Sequence, residues 1–396
     1  MDQSNSSSHL RMISLGPKNI LQRVPLFVDA YDLLMNAIPR AASWTGYFFR
    51  RFTIPSNPKR ILLIRVSGIG DVIKTTPVVR KLRHLYPKAQ ISYLTSETAK
   101  PVLVSNPDID QILTENDECL LYRTEFDWVV NLQLWDTSPF VKRVVAKIKY
   151  QVISGSHFDK RGKYRCRNKW RYEFRNAVEI FLRGAVGLPY QSNFDDEVSI
   201  FIDERRERLI KQIKKRYDLE HDLFVGINLG TRDRNEFWYR DYSLAFVRKL
   251  INTLYGKFRV IIVGMTENLT EQERIELYDL QKEFPLVVNL VDKLGLEELI
   301  LVIRHCSVLV TPDSGPMHIA MAVKTPIIAL FATNEWGKIV SGRKRGDSHV
   351  VILGDQACLM ERGAHCFDAI PMEKILFEVE SFLQRGTQQD GPDREI

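Results

Sequence analysis

Two short stretches carry the side chains through which this sequence can do chemistry. One is Asp313-Ser-Gly-Pro-Met-His318, where the apolar run Val308-Leu-Val310 breaks at Thr311-Pro312 into a polar turn and re-forms as a helix. A strand-to-helix corner points backbone N–H groups and the positive end of a helix dipole at whatever sits above a sheet, which suits a phosphate. Gly315 lets an anion approach the backbone closely, Asp313 or Ser314 can cap the helix, and His318 lies on its first turn. A plain N-cap is the ordinary alternative for such a triplet. The other stretch is Ser67-Gly-Ile-Gly-Asp71, a glycine loop directly after Arg60-Ile-Leu-Leu-Ile-Arg-Val66. Gly68-x-Gly70 matches half of the dinucleotide fingerprint, but Ile73 stands where a third glycine belongs, so no dinucleotide cofactor is expected. What the loop offers is Asp71 at the top of the first strand, on the carboxyl edge where open α/β sheets keep their ligands. Asp71 also qualifies as a helix N-cap.

Those stretches need elements to hold them. Residues 60–66 read as a buried parallel strand, followed by a helix from about Asp71 with apolar positions at Val72, Ile73, Val78, Val79, Leu82 and Leu85. Further strands are expected at 90–95, 111–114, 127–133 and 150–154, in the rhythm of a doubly wound sheet. The rhythm restarts with strands at 223–229, 260–263, 287–290, 308–310 and 326–330. Between the two series runs a charged amphipathic helix, 204–217, suited to bridging domains. The fold class is therefore α/β, its simplest arrangement two α/β domains facing across a cleft. The expected division is an extension over 1–57, a first domain over 58–204, a second over 205–370, and a closing helix and tail over 371–396.

With 396 residues, 44% of them hydrophobic and 27% charged, the chain can fill two cores of ordinary size. A net charge of +7 favours acidic partners: nucleotide diphosphates, anionic lipid or phosphorylated glycans. The basic, aromatic-interleaved run from Lys160 to Arg171 is either a surface for such groups or a solvated loop. Without a nucleic-acid module, no nucleic-acid partner is expected. Five scattered cysteines with no Cys-x-x-Cys fit a reducing compartment, and Cys358, His365 and Cys366 read as loop or core residues rather than a metal set. No apolar run is long enough to span a bilayer, so a cytoplasmic protein is expected. Residues 20–52 have helix-like spacing and end in Trp44-Thr-Gly-Tyr-Phe-Phe-Arg-Arg-Phe52, aromatics beside cations. That segment either lies on an anionic membrane surface or packs as an extra helix.

Taken together, Arg60 to Val79, Phe126-Asp-Trp-Val-Val-Asn-Leu-Gln133 and Asp313 to His318 resemble the bacterial heptosyltransferases, glycosyltransferase family 9, and the likeness runs from about Lys59 to Leu383. The resemblance implies a GT-B fold of two Rossmann-like domains and a nucleotide-diphosphate-heptose donor, ADP-heptose, in the second domain. It further implies a lipopolysaccharide core-type acceptor in the first, inversion at the anomeric carbon, and neither metal nor cofactor. Asp71 corresponds to the general base. The loop residues Ser67, Gly68 and Gly70 and the corner Asp313, Ser314, Gly315, Pro316, Met317 and His318 correspond to substrate-binding positions. Where the family has Lys-Arg-Trp-Pro, this chain has Gly230-Thr-Arg-Asp-Arg-Asn-Glu-Phe-Trp-Tyr239, so Arg232 or Arg234 is expected to supply the cation for the donor phosphates. Glu271, in the loop after Val263, corresponds to the ribose-binding acid. The missing lysine keeps two other readings open, a nucleotide-binding shell without turnover and a family member with a different donor sugar. No Gly-x-Ser-x-Gly elbow supports a serine hydrolase built on Asp313, Ser314 and His318.

Overall fold

The computed structural model describes residues 54–133, 138–155, 157–158, 164–165, 181–182, 186, 197–220, 223–230, 243–267, 269–331, 349–354 and 367–389. Arg232, Arg234, the metal-set candidates Cys358, His365 and Cys366, residues 20–52 and most of the basic run 160–171 lie outside them. From Pro55 onward the chain forms one compact unit built on two parallel sheets.

The first sheet is laid down by β1 (Arg60–Ile64), β2 (Gln90–Leu94), β3 (Gln111–Leu113), β4 (Glu125–Asn131) and β5 (Lys149–Gly155), in the order β3-β2-β1-β4-β5. Helices cover both faces, which is why β1 is one apolar run, Ile61 to Ile64, with no exposed surface. Helix α1 (Ile69–Ile73) and α2 (Thr76–Leu85) follow β1, α3 (Glu118–Arg123) precedes β4, and α4 (Pro139–Lys147) leads into β5. A short hairpin, β6 (His157–Phe158) and β7 (Tyr164–Arg165), comes next.

The expected single helix from Asp71 is in fact two, and it starts earlier, at Ile69. Asp71 therefore sits inside the first turn rather than capping it; the N-cap position is Gly68. Pro77 causes the break, because it has no N–H to give the carbonyl of Ile73. The Thr76 hydroxyl donates to that carbonyl instead, at 2.9 Å, and Thr75 does the same for Val72 at 2.7 Å. Leu85, read as a core position, is 40% exposed.

Helix α5 (Glu204–Arg216) leads into the second sheet, whose strands β8 (Phe224–Asn228), β9 (Arg259–Val263), β10 (Val288–Asn289), β11 (Val308–Pro312), β12 (Ile327–Phe331) and β13 (His349–Leu353) take the order β10-β9-β8-β11-β12-β13. Between them lie α6 (Leu244–Leu254), α7 (Glu271–Glu283), α8 (Leu296–His305) and α9 (Gly315–Ala322), with α10 (Met372–Gln389) last. Two expectations change here. Strand β13 is an addition to the sheet, pairing in parallel with β12. The run of β11 does not break at Thr311-Pro312 but continues through Pro312, which pairs with Leu330. Among the described residues that strand has, beyond Val310, a ladder partner on the β12 side only, so a residue without an N–H is tolerated, as on an edge.

The passage between sheets is stitched on both sides. Arg80 donates to Ser199 Oγ at 2.9 Å, Ser199 N donates to Thr76 Oγ1 at 3.0 Å, and Ile200 N donates to the carbonyl of Ala322 at 3.2 Å. Arg206, with no exposed surface, donates to the carbonyls of Pro101, Val104 and Phe201 and to Glu297 of α8.

Candidate active site

In a sheet of order β3-β2-β1-β4-β5 the connections leave β1 and β4 in opposite directions, opening a crevice at their carboxyl ends. The second sheet has the same switch between β8 and β11. Both stretches singled out from the sequence emerge at these points, Ser67–Asp71 after β1 and Asp313–His318 after β11.

The structure brings them together. An added Cβ on Gly70 would lie 2.2 Å from Cδ2 of His318, and one on Gly315 would lie 3.8 Å from Cβ of Ile69. Helix α1 of the first domain thus packs directly on α9 of the second, and only a glycine fits at position 70. His318 and Asp313 are each 5% exposed, with Nε2 and Oδ1 3.8 Å apart.

Asp71 is held from three directions. Arg65, the first residue past β1, places a guanidinium nitrogen 2.9 Å from Oδ2, and the Ser67 hydroxyl donates to the same oxygen at 2.8 Å. Lys74 approaches Oδ1 at 3.6 Å. Burial works to raise the pKa of this carboxyl, but Arg65 above all, with Lys74, Ser67 and His318, outweighs it and holds the group well below the usual carboxylate range. With its side chain 33% exposed, Asp71 is an anion that a substrate can reach.

At the other corner Ser314 is the N-cap residue of α9, yet its hydroxyl makes no cap bond. It donates instead to the carbonyl of Pro312 at 3.1 Å and accepts from Asn228 Nδ2 at 2.9 Å. Asn228 also donates to Thr311 Oγ1 at 3.1 Å, tying the end of β8 to the end of β11. Among the described residues no side chain caps α9, leaving its first N–H groups without a side-chain acceptor, the condition that suits an anion. Pro316 occupies the first turn, where its missing N–H costs nothing, and Met317 is buried beneath it. Glu271 is not in a loop: it is the exposed first residue of α7, outside the α1–α9 contact, in a helix whose start is fixed by reciprocal bonds between Thr270 and Glu273.

Residues 121–367 match the pattern of glycosyltransferase family 9 (heptosyltransferase). The chain belongs to that family. It is accordingly a glycosyltransferase. Lipopolysaccharide heptosyltransferase 3 of Escherichia coli is 24% identical over 354 residues, covering 80% of this chain and 97% of its own. Among solved structures, a family 9 glycosyltransferase from Veillonella parvula superposes with a TM-score of 0.64 at 18% identity, over 83% of this chain and 98% of that one. The ADP-heptose lipopolysaccharide heptosyltransferase II of E. coli gives 0.61 at 17%, over 83% and 99%. At such identities the structures establish the fold, which is GT-B, two parallel-sheet domains as expected.

The site of this glycosyltransferase also contains residues to which the sequence reading gave no part. Arg65 and Asn228 are 1% exposed and Thr311 is fully buried, all at the carboxyl ends of otherwise apolar strands. The available signal was chemical: a polar side chain terminating a buried parallel strand needs a partner, and at a switch point that partner belongs to the site.

Proposed function

We propose that this enzyme moves heptose from a nucleotide-diphosphate donor, ADP-heptose, to a lipopolysaccharide core-type acceptor, with inversion and without a metal. The names of its relatives favour the sugar and the acceptor. The observation that carries the mechanism is the packing of Gly70 on His318, which brings the carboxylate of one domain beside the anion-receptive corner of the other. Asp71 takes the proton of the acceptor hydroxyl as that oxygen bonds to the anomeric carbon. The bond from this carbon to the diphosphate breaks on the opposite face, and the electron pair leaves with the diphosphate. The N–H groups at the start of α9 receive the growing negative charge, and the cation for the donor phosphates is assigned to Arg232 or Arg234 from the sequence.

Asp71→Ala is expected to lower transfer by roughly 10²–10⁴, the usual share of a positioned base, while nucleotide still binds. Unchanged transfer would remove Asp71 from the role. The donor is tested by thermal unfolding with excess ADP, GDP or UDP, each with and without EDTA. At a hundred times its dissociation constant a ligand stabilises by about 2.7 kcal/mol. A shift with ADP that survives EDTA is expected; one with GDP or UDP instead would name another donor, and one abolished by EDTA would overturn the metal-free reading.

We further propose that the enzyme works in the cytoplasm with residues 20–52 against an anionic membrane surface, their aromatic and cationic side chains favouring that position. Deleting residues 1–57 should lower co-sedimentation with anionic vesicles, and equal sedimentation of the shortened protein would refute the contact.

A further inference from the structure

Asp71 has two oxygens, and the structure treats them differently. Oδ2 receives both the Arg65 guanidinium at 2.9 Å and the Ser67 hydroxyl at 2.8 Å, whereas Oδ1 faces Lys74 at 3.6 Å. Arg65 is itself locked. Its other terminal nitrogen donates to the carbonyl of Leu132 at 2.9 Å and reaches Gln133 Oε1 at 3.4 Å, and Gln133 in turn donates to the carbonyl of Val66 at 2.9 Å. The Phe181 ring lies 5.4 Å from the guanidinium carbon. One planar fork thus spans the crevice from the end of β4 to the loop after β1.

We propose that Arg65 is the positioning residue of this site: with Ser67 it occupies Oδ2 and turns Oδ1 toward the acceptor as the atom that takes the proton. The inference rests on the reading of Asp71 as the base. It adds which oxygen acts and what holds it. Among the described residues the other titratable groups facing Asp71 are Lys74 from its own helix, His318 from α9, and Tyr93 from β2, whose hydroxyl is bonded to Thr75 at 2.5 Å. Lys74 approaches from the Oδ1 side. With Arg65 gone, burial is left to act on a carboxyl that has lost its largest counter-charge, and its pKa rises.

The experiment measures kcat and KM against pH from 5 to 9 for the full chain and for Arg65→Met, Arg65→Lys, Ser67→Ala and Asp71→Ala. Wild type is expected to keep its kcat on the acid side. Arg65→Met should lose a large part of the roughly 10²–10⁴ that a positioned base supplies, in kcat rather than donor KM, and should acquire an acid limb. Arg65→Lys keeps the charge without the fork, so the limb should stay at low pH while kcat falls. Ser67→Ala, which leaves the buried cation in place, should move the limb the same way by less, and if Arg65→Met does not fold, an unchanged kcat in Arg65→Lys overturns the role of the fork. A wild-type pH profile in both Arg65→Met and Ser67→Ala, with Asp71→Ala inactive, would overturn the role of Arg65 and leave the base intact. Transfer retained by Asp71→Ala would instead remove the base on which the inference rests.

Discussion

Gly70 is the residue on which the two halves of the site meet, and it has no room for a methyl group. Because His318 is buried, its ring has little freedom to yield, and Gly70→Ala should cost about 1–3 kcal/mol of stability by overpacking. Trimming the obstacle in a Gly70→Ala/His318→Ala double variant should return part of that loss in urea unfolding. Strict additivity of the two changes would show that the methyl group and the ring do not collide. Asp71 makes a prediction about acid. Its pKa is depressed in the folded chain, so the stability it contributes is present in full above the unfolded value of about 3.9 and is lost as pH falls from there toward the folded value. The stability gap between wild type and Asp71→Asn should hold constant from pH 7 to pH 5 and narrow below pH 4. A gap that widens on acidification would contradict the sign. Asp71 and Asp313 were legible because glycine loops and helix starts at strand ends have local signatures. Arg65 was not, since its partners at Leu132 and Gln133 lie far along the chain and only the sheet order makes them neighbours.

At the level of elements, apolar runs gave the strands correctly because both faces of each sheet are covered, and a buried run has little else to become. Boundaries failed where one residue overrules a pattern. Apolar spacing continues through 72–82, but Pro77 removes a bond the helix needs and the Thr76 hydroxyl makes good the loss. Pro312 fails in the other direction: a residue that ordinarily ends a strand is tolerated because the ladder is one-sided there. Helix α10 follows its amphipathic pattern, and Ile375, Val379 and Phe382 enter the apolar core of the second domain. Ile375, with no exposed surface, should cost about 2–5 kcal/mol when cut to alanine. Chemical unfolding measures this, and a loss under 1 kcal/mol would mean the helix contributes little to that core.

For the whole molecule, the decisive contacts are those that a reading of either domain alone would not contain. Arg206 gathers carbonyls from a turn of the first domain and a carboxylate from α8 of the second. Arg206→Met would leave those part-buried carbonyls without their donor, and a loss of about 1–3 kcal/mol in unfolding free energy is expected. A change below 1 kcal/mol would show the junction to be held elsewhere. The stitches around Ser199 and Ile200 have a mechanical meaning as well. They grip Thr76 at the start of α2 and Ala322 at the end of α9, so the crossing chain is fastened to both site-bearing segments. A pivot at that crossing would leave Asp71 and His318 nearly still while the far edges of the two sheets swung, so any opening of the cleft would begin away from the packed glycine.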